Sequence, residues 1–238
     1  QSAVKKALLD KDLCKKFNFT TSNSINIGRW LPQIVYYFIG YKMLNQTFNN
    51  LAFSVPSGNY GNLFAGMISK RMGLPINKFI SSNNSNNVVD VYMKTQKYMP
   101  KASIETISNA MDVGDPSNFI RIQELHKTYS NLKDDMYTCS YSDEDTINAI
   151  LELYSNYNYL SDPHGAVGYL GAKDFVNSND DFNCVFLGTA HPSKFIDIVE
   201  NIISEKIVLP EQIKSCLNKS KKVEFIRSYK QLKSYLLS

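Results

Sequence analysis

Short apolar runs alternate with amphipathic segments along this chain of 238 residues, and this alternation restricts its fold more than any other feature. Runs typical of buried strands occur at 51–55, 77–81 and 184–187. Helical patterns, several of them opened by a capping residue or a proline, occur at 62–72, 87–97, 142–154, 163–175 and 191–203. The Asn- and Ser-rich stretch 81–87 is predicted to be a loop. Strands that alternate with helices predict an α/β domain whose mostly parallel sheet is flanked by helices.

Basic residues are concentrated at one end of the chain, which restricts the partners it could have. The formal net charge is +4, yet residues 206–238 hold eight basic and two acidic side chains and carry +6. We expect a nearly neutral domain at 1–200 and a basic tail at 201–238, helical along its apolar stripe, that packs on it. A nucleic acid is not predicted as a partner, because the positive charge comes from a tail outside every recognisable site. A membrane is not predicted either, since the richest apolar run, 34–41, is too short to span a bilayer. Monomer and homodimer both remain open.

Cysteine and histidine usage argues against a metal centre. The four cysteines stand far apart, without CxxC spacing, at Cys14, Cys139, Cys184 and Cys216. This pattern predicts reduced thiols in a cytoplasmic protein, with neither a zinc site nor a redox pair. The three histidines, which show no convergent spacing, are His126, His164 and His191. Of these, His191 is interpreted as shaping its loop, and His164 is a candidate for proton transfer.

The most informative loop lies between the first predicted strand and its helix and reads Ser57-Gly58-Asn59-Tyr60-Gly61-Asn62. Two glycines let a backbone turn tightly and bring its N–H groups close to an anion. The helix that follows adds free N–H groups and the positive end of its dipole. The loop is neither a Walker motif nor GxGxxG. Its position between a strand and a helix favours a phosphate-binding loop over a purely structural turn.

Three other segments carry candidate polar groups. Thr189 follows the strand at 184–187, where a threonine either points its hydroxyl into the crevice at the carboxyl ends of the strands or caps the next helix. Arg29, in the segment 23–29, suits bidentate recognition of a phosphate or carboxylate, although an arginine at the start of a helix is more often an exposed surface residue. The segment 108–118 is interpreted as a self-bonded turn rather than a metal or acid–base site.

The order of these segments resembles that of the threonine synthase family, whose enzymes use pyridoxal phosphate (PLP). The matching stretches are NSINIGRWLPQ at 23–33, VPSGNYGNLFAGMISKRMGLP at 55–75, SNAMDVGDPSN at 108–118, DPHGAVGY at 162–169 and GTAHPSKF at 188–195. The resemblance covers most of residues 1–200 and implies the tryptophan-synthase-β-like fold, PLP fold type II. It also implies a lyase that converts O-phospho-L-homoserine and water into L-threonine and phosphate.

The resemblance further implies roles for particular residues. In the family the GNxGN loop holds the cofactor phosphate, which implicates Gly58, Asn59, Tyr60, Gly61 and Asn62. The family's threonine before Ala-His-Pro bonds the pyridine nitrogen of the cofactor, which implicates Thr189. The segment NSxNxxR resembles the family's site for the substrate phosphate, which implicates Asn23, Ser24 and Arg29. No metal is implied.

One functional residue of the family has no counterpart in this chain. The lysine that carries the cofactor and then acts as general base stands in the family well upstream of NSINIGR, in a Phe-Lys-Asp context. Lys173-Asp174-Phe175 reverses that order and is interpreted as the end of the helix 163–175. Because the chain starts at Gln1 in mid-pattern, we expect this lysine upstream of Gln1 and an incomplete sheet. The chain is then expected to be a C-terminal portion that is inactive alone, with no catalytic residue assigned within it.

Two alternatives remain open at this point. The chain could be a degenerate homologue that binds PLP or phosphate and acts through partners, or part of a related PLP lyase that acts on another phosphorylated amino acid. Retention of Asn23, Ser24 and Arg29 favours a substrate that carries phosphate without identifying it. A lysine of the Phe-Lys-Asp type encoded before Gln1 would favour the enzyme, and its absence would favour the binding protein.

Overall fold

The computed structural model describes residues 2–20, 22, 24, 26–44, 48–217, 219–220 and 222–238. Its helices are α1 (Ser2–Leu9), α2 (Lys11–Lys16), α3 (Ile27–Trp30), α4 (Ile34–Met43), α5 (Gly61–Arg71), α6 (Val88–Thr95), α7 (Phe119–His126), α8 (Tyr129–Asp135), α9 (Asp143–Tyr157), α10 (Pro163–Ser178), α11 (Ile196–Ile203), α12 (Glu211–Leu217) and α13 (Tyr229–Leu237). Its strands are β1 (Leu51–Pro56), β2 (Lys78–Asn83), β3 (Met136–Ser140) and β4 (Asn183–Phe186). Short 3₁₀ turns are found at Leu31–Gln33, Asn109–Met111 and Pro192–Phe195.

The chain divides into two units. Residues 24–208 form the larger unit, and residues 1–23 form a smaller unit with residues 209–238. The tail expected from residue 201 therefore contributes its residues from 209 onward to the smaller unit.

The larger unit is built on a parallel sheet of four strands in the order β3-β2-β1-β4. In register, Phe53 of β1 lies beside Phe79 of β2 and Val185 of β4. All residues of β1 are buried, as expected of a central strand covered on both faces. The predicted α/β architecture, a mostly parallel sheet flanked by helices, is confirmed.

Different helices cover the two faces of the sheet, because successive side chains of a strand point to opposite sides. On one face, Phe53 belongs to the main core with Tyr37 of α4 and Leu63 of α5. On the other face, Ala52 packs with Phe175 of α10. With both faces covered, the loops at the carboxyl ends of the strands are the place where a ligand can enter.

Helix α10 approaches the sheet so closely that one position excludes a side chain. A Cβ on Gly171 would lie 1.9 Å from Oγ of Ser82 in β2. Beside it, the Ser54 hydroxyl of β1 donates to the carbonyl of Gly168 at 2.6 Å, and its Oγ lies 2.8 Å from Oγ of Ser82. These buried hydroxyls are satisfied by each other and by the helix backbone, so the polar strand residues can sit in the interior.

Most predicted elements are found within a few residues of their expected positions. The predicted strands correspond to β1, β2 and β4, and the predicted helices to α5, α6, α9, α10 and α11. The capping box predicted at the start of α9 is present: the side chains of Ser142 and Asp145 each accept the other's backbone N–H.

Two predictions of secondary structure are corrected, and some elements were not predicted at all. The stretch 81–87 is not all loop: Ser81–Asn83 continues β2, where the Asn83 amide donates to the carbonyl of Cys139 at 2.9 Å. Strand β3 and helices α7 and α8 were not predicted; β3 is a short edge strand with partly exposed residues and so lacks a continuous apolar run. The apolar stripe of the basic tail is helical only from Tyr229, where α13 begins. The helix begins there because the Ser228 hydroxyl caps it by accepting the Gln231 N–H.

The smaller unit contains α1, α2, α12 and α13. Within it, the Asp10 carboxylate accepts hydrogen bonds from the Tyr229 hydroxyl at 2.6 Å and from the Lys233 ammonium at 2.9 Å. These bonds hold the pKa of Asp10 well below its usual range. The stabilisation from this contact is therefore complete above the ordinary carboxyl pKa of about 4, and it is lost as the pH falls below that value.

Helix α4 carries the apolar run noted in the sequence. It has ten residues, and across the described ranges no helix combines the length and hydrophobicity needed to cross a membrane. Ile34 and Tyr37 are buried, whereas Val35, Ile39 and Met43 are exposed. The helix thus packs by one side only.

The thiols differ in accessibility, which predicts a difference in reactivity. Cys14 is exposed, whereas burial raises the pKa of Cys139 to about 11 and that of Cys184 to about 12; the side chain of Cys216 lies outside the described part. Because the thiolate is the reactive form, we predict that iodoacetamide alkylates Cys14 well before Cys139 and the partly buried Cys184 at neutral pH. Mass spectrometry of peptides sampled over time measures the rates. Equal rates for Cys14 and Cys139 would contradict the burial of Cys139.

Candidate functional site

The loop at 57–62 connects the carboxyl end of β1 to the start of α5, as predicted. The Ser57 N–H donates to the carbonyl of Ser82 at 2.8 Å, which extends the pairing of β1 with β2 into the loop. Strand β4, parallel to β1, ends at the same edge and leads into residues 187–189. Two of the candidate segments therefore start from neighbouring strand ends.

The left-handed residue of this loop is Tyr60, at φ +63°, and not a glycine. Its ring packs edge-on against Phe119, with 5.5 Å between centroids, and its hydroxyl donates to Oδ1 of Asn83 at 2.6 Å. Burial raises the pKa of Tyr60 well above its usual value, so the hydroxyl remains a donor. The Tyr60 side chain anchors the loop to the core, and what it can offer a ligand is its backbone.

The two glycines of the loop have different surroundings. A Cβ on Gly58 would lie 2.6 Å from Cα of Met111 and 3.1 Å from the Ala110 carbonyl oxygen. A Cβ on Gly61 would meet its nearest neighbour, Nδ2 of Asn118, at 3.4 Å. Neither glycine has a positive φ, so the expectation of a turn made by glycine conformation is corrected. Gly58 is needed because two backbones meet there, and Gly61 leaves ordinary space.

The side chain of Asn59 ties the loop to two distant segments. Its Oδ1 accepts from the Ser117 N–H at 2.7 Å and from the Ser117 hydroxyl at 2.9 Å, and its Nδ2 donates to Oγ of Ser24. The Ser24 carbonyl accepts from Nδ2 of Asn118 at 3.2 Å. The structure thus brings Ser24 to the loop, whereas Asn23 lies outside the described residues.

A cavity of about 590 Å³ opens beside the loop. Arg29, Asn62 and Thr189, three residues singled out in the sequence, line it together. Its remaining lining residues, which were not predicted, are Gly28, Pro32, Gln33, Tyr36, Leu187 and Gly188. Pro32, Gln33 and Tyr36 follow Arg29 at helical spacing. This spacing, which is visible in the sequence, places them on the same face as Arg29.

The cavity is suited to an anion. Arg29 is exposed, and none of the ion pairs among the described residues involves it. Helix α5, whose second residue is Asn62, starts without a side-chain cap, so its first N–H groups and the positive end of its dipole are available. The guanidinium and the helix start both favour negative charge.

Asn62 is held in place by Tyr37, a residue that the sequence did not single out. The buried Tyr37 hydroxyl donates to the Asn62 carbonyl at 2.9 Å and to its Oδ1 at 3.0 Å. Burial raises the pKa of Tyr37 well above its usual value, so the hydroxyl keeps its proton.

We predict that Tyr37→Phe frees the side chain of Asn62. The ring packing is kept, whereas the hydroxyl that fixes the amide is lost. The nuclear magnetic resonance signals of the Asn62 side-chain amide should shift and broaden, and Tyr41→Phe on the same helix should leave them unchanged. Identical Asn62 signals in Tyr37→Phe and the unaltered protein would contradict the prediction.

Thr189 contributes to the cavity and does not cap the helical segment that follows. That cap is His191, whose Nδ1 accepts from the Ser193 N–H at 3.1 Å. The alternative of Thr189 as a capping residue is therefore wrong, and the interpretation of His191 as a loop-shaping residue is confirmed.

The segment 108–118 turns through backbone bonds of its own, from the Met111 N–H to the Ser108 carbonyl at 2.9 Å and from the Asp112 N–H to the Asn109 carbonyl at 3.1 Å. The prediction that it bonds only to itself is corrected, because its aspartates bond residues outside the segment. Asp112 accepts from the Thr106 N–H at 3.0 Å, from the Thr106 hydroxyl at 2.7 Å and from the Asn84 amide at 2.9 Å. Asp115 accepts from the Tyr98 hydroxyl at 3.0 Å. Within the part of the chain that the structure describes, no three His, Cys, Asp or Glu side chains are grouped so as to hold a metal ion.

His164 and Lys173 do not serve as free catalytic groups. His164 is buried, with Nδ1 2.8 Å from Oδ1 of Asp162 and Nε2 3.1 Å from the Ala110 nitrogen, so both ring nitrogens are engaged. Lys173 lies within α10, as predicted, and pairs with Glu152 at 2.7 Å. His164 therefore has no free ring nitrogen for the proton transfer that was considered for it.

A second cavity, of about 560 Å³, does not combine the predicted segments. It is lined by Lys70, Arg71, His126, Asn131, Asp134 and Asp135. Lys70 and His126 both bond the Asp135 carboxylate, at 2.5 Å and 2.8 Å, so these three side chains are engaged with one another. The cavity beside the loop is the stronger candidate.

Comparison of the sequence with known proteins identifies relatives along the whole chain. A family model described as "Threonine synthase, C-terminal" matches residues 165–236. Threonine synthase of Buchnera aphidicola subsp. Schizaphis graminum is 42% identical over 216 residues, which cover 90% of this chain and 50% of that protein. Threonine synthase of Haemophilus influenzae is 39% identical over 243 residues, which cover 100% of this chain and 56% of that protein. The chain spans about half the length of the curated relatives it matches.

Solved structures show the same likeness. Threonine synthase from Escherichia coli superposes with a TM-score of 0.89 at 37% identity, covering 100% of this chain and 55% of that one. PLP-bound threonine synthase from Brucella melitensis gives a TM-score of 0.91 at 28% identity, covering 99% and 56%. The predicted fold, PLP fold type II, is thereby confirmed. The ordered motifs, the sequence identity along the chain and the shared fold together show that this chain belongs to the threonine synthase family.

Proposed function

We propose that this chain supplies the phosphate-binding side of a threonine synthase active site, in a PLP-dependent lyase of threonine biosynthesis. The reaction converts O-phospho-L-homoserine and water into L-threonine and phosphate. The observation that carries the proposal is the single cavity lined by Arg29, Asn62 and Thr189. It lies where β1 and β4 end and α5 begins, the position at which parallel α/β sheets bind ligands. The relatives named threonine synthase support the assignment.

The groups present fit PLP. The start of α5 has no side-chain cap, so its backbone N–H groups can meet the cofactor phosphate. The backbone of Gly58 to Gly61 and the Asn62 side chain would hold that phosphate, and the Thr189 hydroxyl would bond the pyridine nitrogen. A neutral hydroxyl would not keep that nitrogen protonated as a carboxylate would, which tempers the electron sink. When bound, PLP supplies that electron sink for carbanions at the substrate carbons.

Arg29 and its neighbours would bind the substrate phosphate. A guanidinium offers paired N–H donors to phosphate oxygens and stays charged at every accessible pH. Ser24, joined to the loop through Asn59, would place a further hydroxyl nearby. These groups hold and orient the phosphate until it leaves, and electrostatic stabilisation of the departing group is their contribution to the rate.

A binding protein is the second candidate, and one observation favours it. Among the residues that line the cavity, Arg29 is the one basic side chain, so the lining as described contains no lysine to act as general base. A chain with the phosphate-binding groups and without that lysine would bind PLP or a phosphorylated amino acid without turnover.

Phosphate release by the PLP-loaded protein, in its natural length, separates the two candidates. Threonine and phosphate formed in equal amounts from O-phospho-L-homoserine would support the enzyme. PLP binding, seen by visible absorbance, without release of phosphate would support the binding protein. Absence of PLP binding would contradict the enzyme, and absence of binding of both PLP and O-phospho-L-homoserine would contradict the binding protein as well.

A further inference from the structure

The buried side chain of His164 connects α10 to the 3₁₀ turn Asn109–Met111. The Ala110 N–H, which can only donate, lies 3.1 Å from Nε2, so Nε2 carries a lone pair. The ring proton is therefore on Nδ1, which donates to Oδ1 of Asp162 at 2.8 Å. The same oxygen accepts the backbone N–H of His164 at 2.9 Å as the cap of α10. These bonds hold His164 as a neutral imidazole in one tautomer.

The turn that His164 holds forms a wall of the loop at 57–62. The Ala110 carbonyl oxygen would be 3.1 Å from a Cβ on Gly58, so the two backbones touch. At its far end the turn is anchored by Asp112, which accepts from the Asn84 amide. A shift of residue 110 would therefore change the surface on which Gly58 rests.

We propose that His164 is a positioning residue for the loop: its neutral form holds Ala110 against Gly58, and protonation of Nε2 releases the turn. The proposal rests on the proposed function in that this loop is taken to bind a phosphate. A proton on Nε2 would face the Ala110 N–H, and two opposed donors cannot form a hydrogen bond. Acid that protonates this nitrogen is therefore expected to loosen the loop.

Charged groups lie on the elements around the ring and the turn, and one of them, Asp162, contacts the ring directly. They are Asp162 at the start of α10, Asp112 beside the turn, Asp143 at the start of α9, and Lys194, which lies over the Phe195 ring that packs on His164. The Ala110 N–H faces Nε2 and leaves no acceptor there for a second proton. The lost bond to Ala110 is thus the direct structural consequence of protonation.

Two substitutions separate the roles of the ring nitrogens. His164→Gln can place an acceptor near the position of Nε2 and so keep the bond to Ala110, without a group that titrates. His164→Asn has its amide near the position of Nδ1 and does not reach Ala110. Hydrogen exchange at the Ala110 amide, expressed as a protection factor at each pH, reports this bond directly in the full chain.

In the unaltered protein we expect the protection factor of Ala110 to fall about 3- to 10-fold between pH 8 and pH 5, since a neutral hydrogen bond is lost. His164→Gln should keep its protection across this range, and His164→Asn should be poorly protected throughout. A protection factor that does not change with pH in the unaltered protein, which requires no variant to fold, would overturn the proposal. Equal protection in His164→Gln and His164→Asn would also overturn it.

The affinity for PLP, measured by visible absorbance, tests the link to the loop. The affinity of the unaltered protein for PLP, divided by that of His164→Gln, should fall as the pH is lowered. This fall should parallel the fall in the Ala110 protection factor of the unaltered protein. A constant ratio, with protection changing as expected, would overturn the positioning role. If the unaltered protein bound no PLP at any pH, the proposed function would fail, and hydrogen exchange alone would decide whether His164 holds the turn.

Discussion

Arg29→Ala is expected to raise the KM for O-phospho-L-homoserine by about 10- to 100-fold and to leave the affinity for PLP unchanged. Hydrogen bonds to a charged group contribute about 1.5–3 kcal/mol, which corresponds to that range. Arg29 lines the cavity, whereas the loop that would hold the cofactor phosphate is formed by other residues. Steady-state kinetics of the holoenzyme and a titration with PLP measure the two effects separately.

Two control variants sharpen this expectation. Arg71→Ala removes an arginine that is also exposed but lines the second cavity, and it should leave KM unchanged. Arg29→Lys keeps the charge but not the paired donors, so its KM should lie between those of the unaltered protein and Arg29→Ala. Weaker PLP binding in Arg29→Ala with an unchanged KM would assign Arg29 to the cofactor instead of the substrate.

Gly58→Ala is expected to lower the affinity for PLP at least 10-fold and the free energy of unfolding by about 1–3 kcal/mol. The added methyl would stand 2.6 Å from Cα of Met111, and backbone atoms cannot rotate away as a side chain can. Either the loop or the turn at Asn109–Met111 must move. Both movements change the backbone contact that holds the loop in its conformation. Urea unfolding and PLP titration of the full chain measure the two effects.

Gly61→Ala is the matched control for Gly58→Ala. Its methyl would lie 3.4 Å from a side-chain atom of Asn118, and alanine at the first position of α5 suits a helix better than glycine. Stability should be unchanged or slightly higher, and PLP should still bind. Equal losses in Gly58→Ala and Gly61→Ala would show that close backbone contact is not what requires the glycine at 58.

Local features predicted most of the fold. Each of the strands β1, β2 and β4 is a single stretch of the chain, so an apolar run identifies it. The loop at 57–62 directly follows β1, and its two glycines identify it. Strand β3 was missed because pairing with β2, rather than a continuous apolar run, makes it a strand. The polar end of β2 was mistaken for a loop because its serines and Asn83 are buried in bonds to distant residues.

The candidate site was predicted as a set of segments but not as an arrangement. Asn59 bonds Ser24 and Ser117, and Tyr37 bonds Asn62, although these partners stand far apart in the chain. Sequence spacing does not report such contacts, because they depend on how the helices pack on the sheet. The sequence leaves two interpretations of Thr189, and the structure selects between them because the cap is His191.

The sequence by itself determined the α/β class and the family resemblance, since each is encoded in short contiguous stretches, and it predicted a phosphate-binding role for the loop. Tertiary structure alone decided that Arg29, Asn62 and Thr189 share a cavity. It also decided that Gly58 is needed for a backbone contact and that His164 accepts the Ala110 N–H. The physical reason is that propensity and periodicity act over a few residues, whereas a hydrogen bond or a steric contact depends on packing between distant segments.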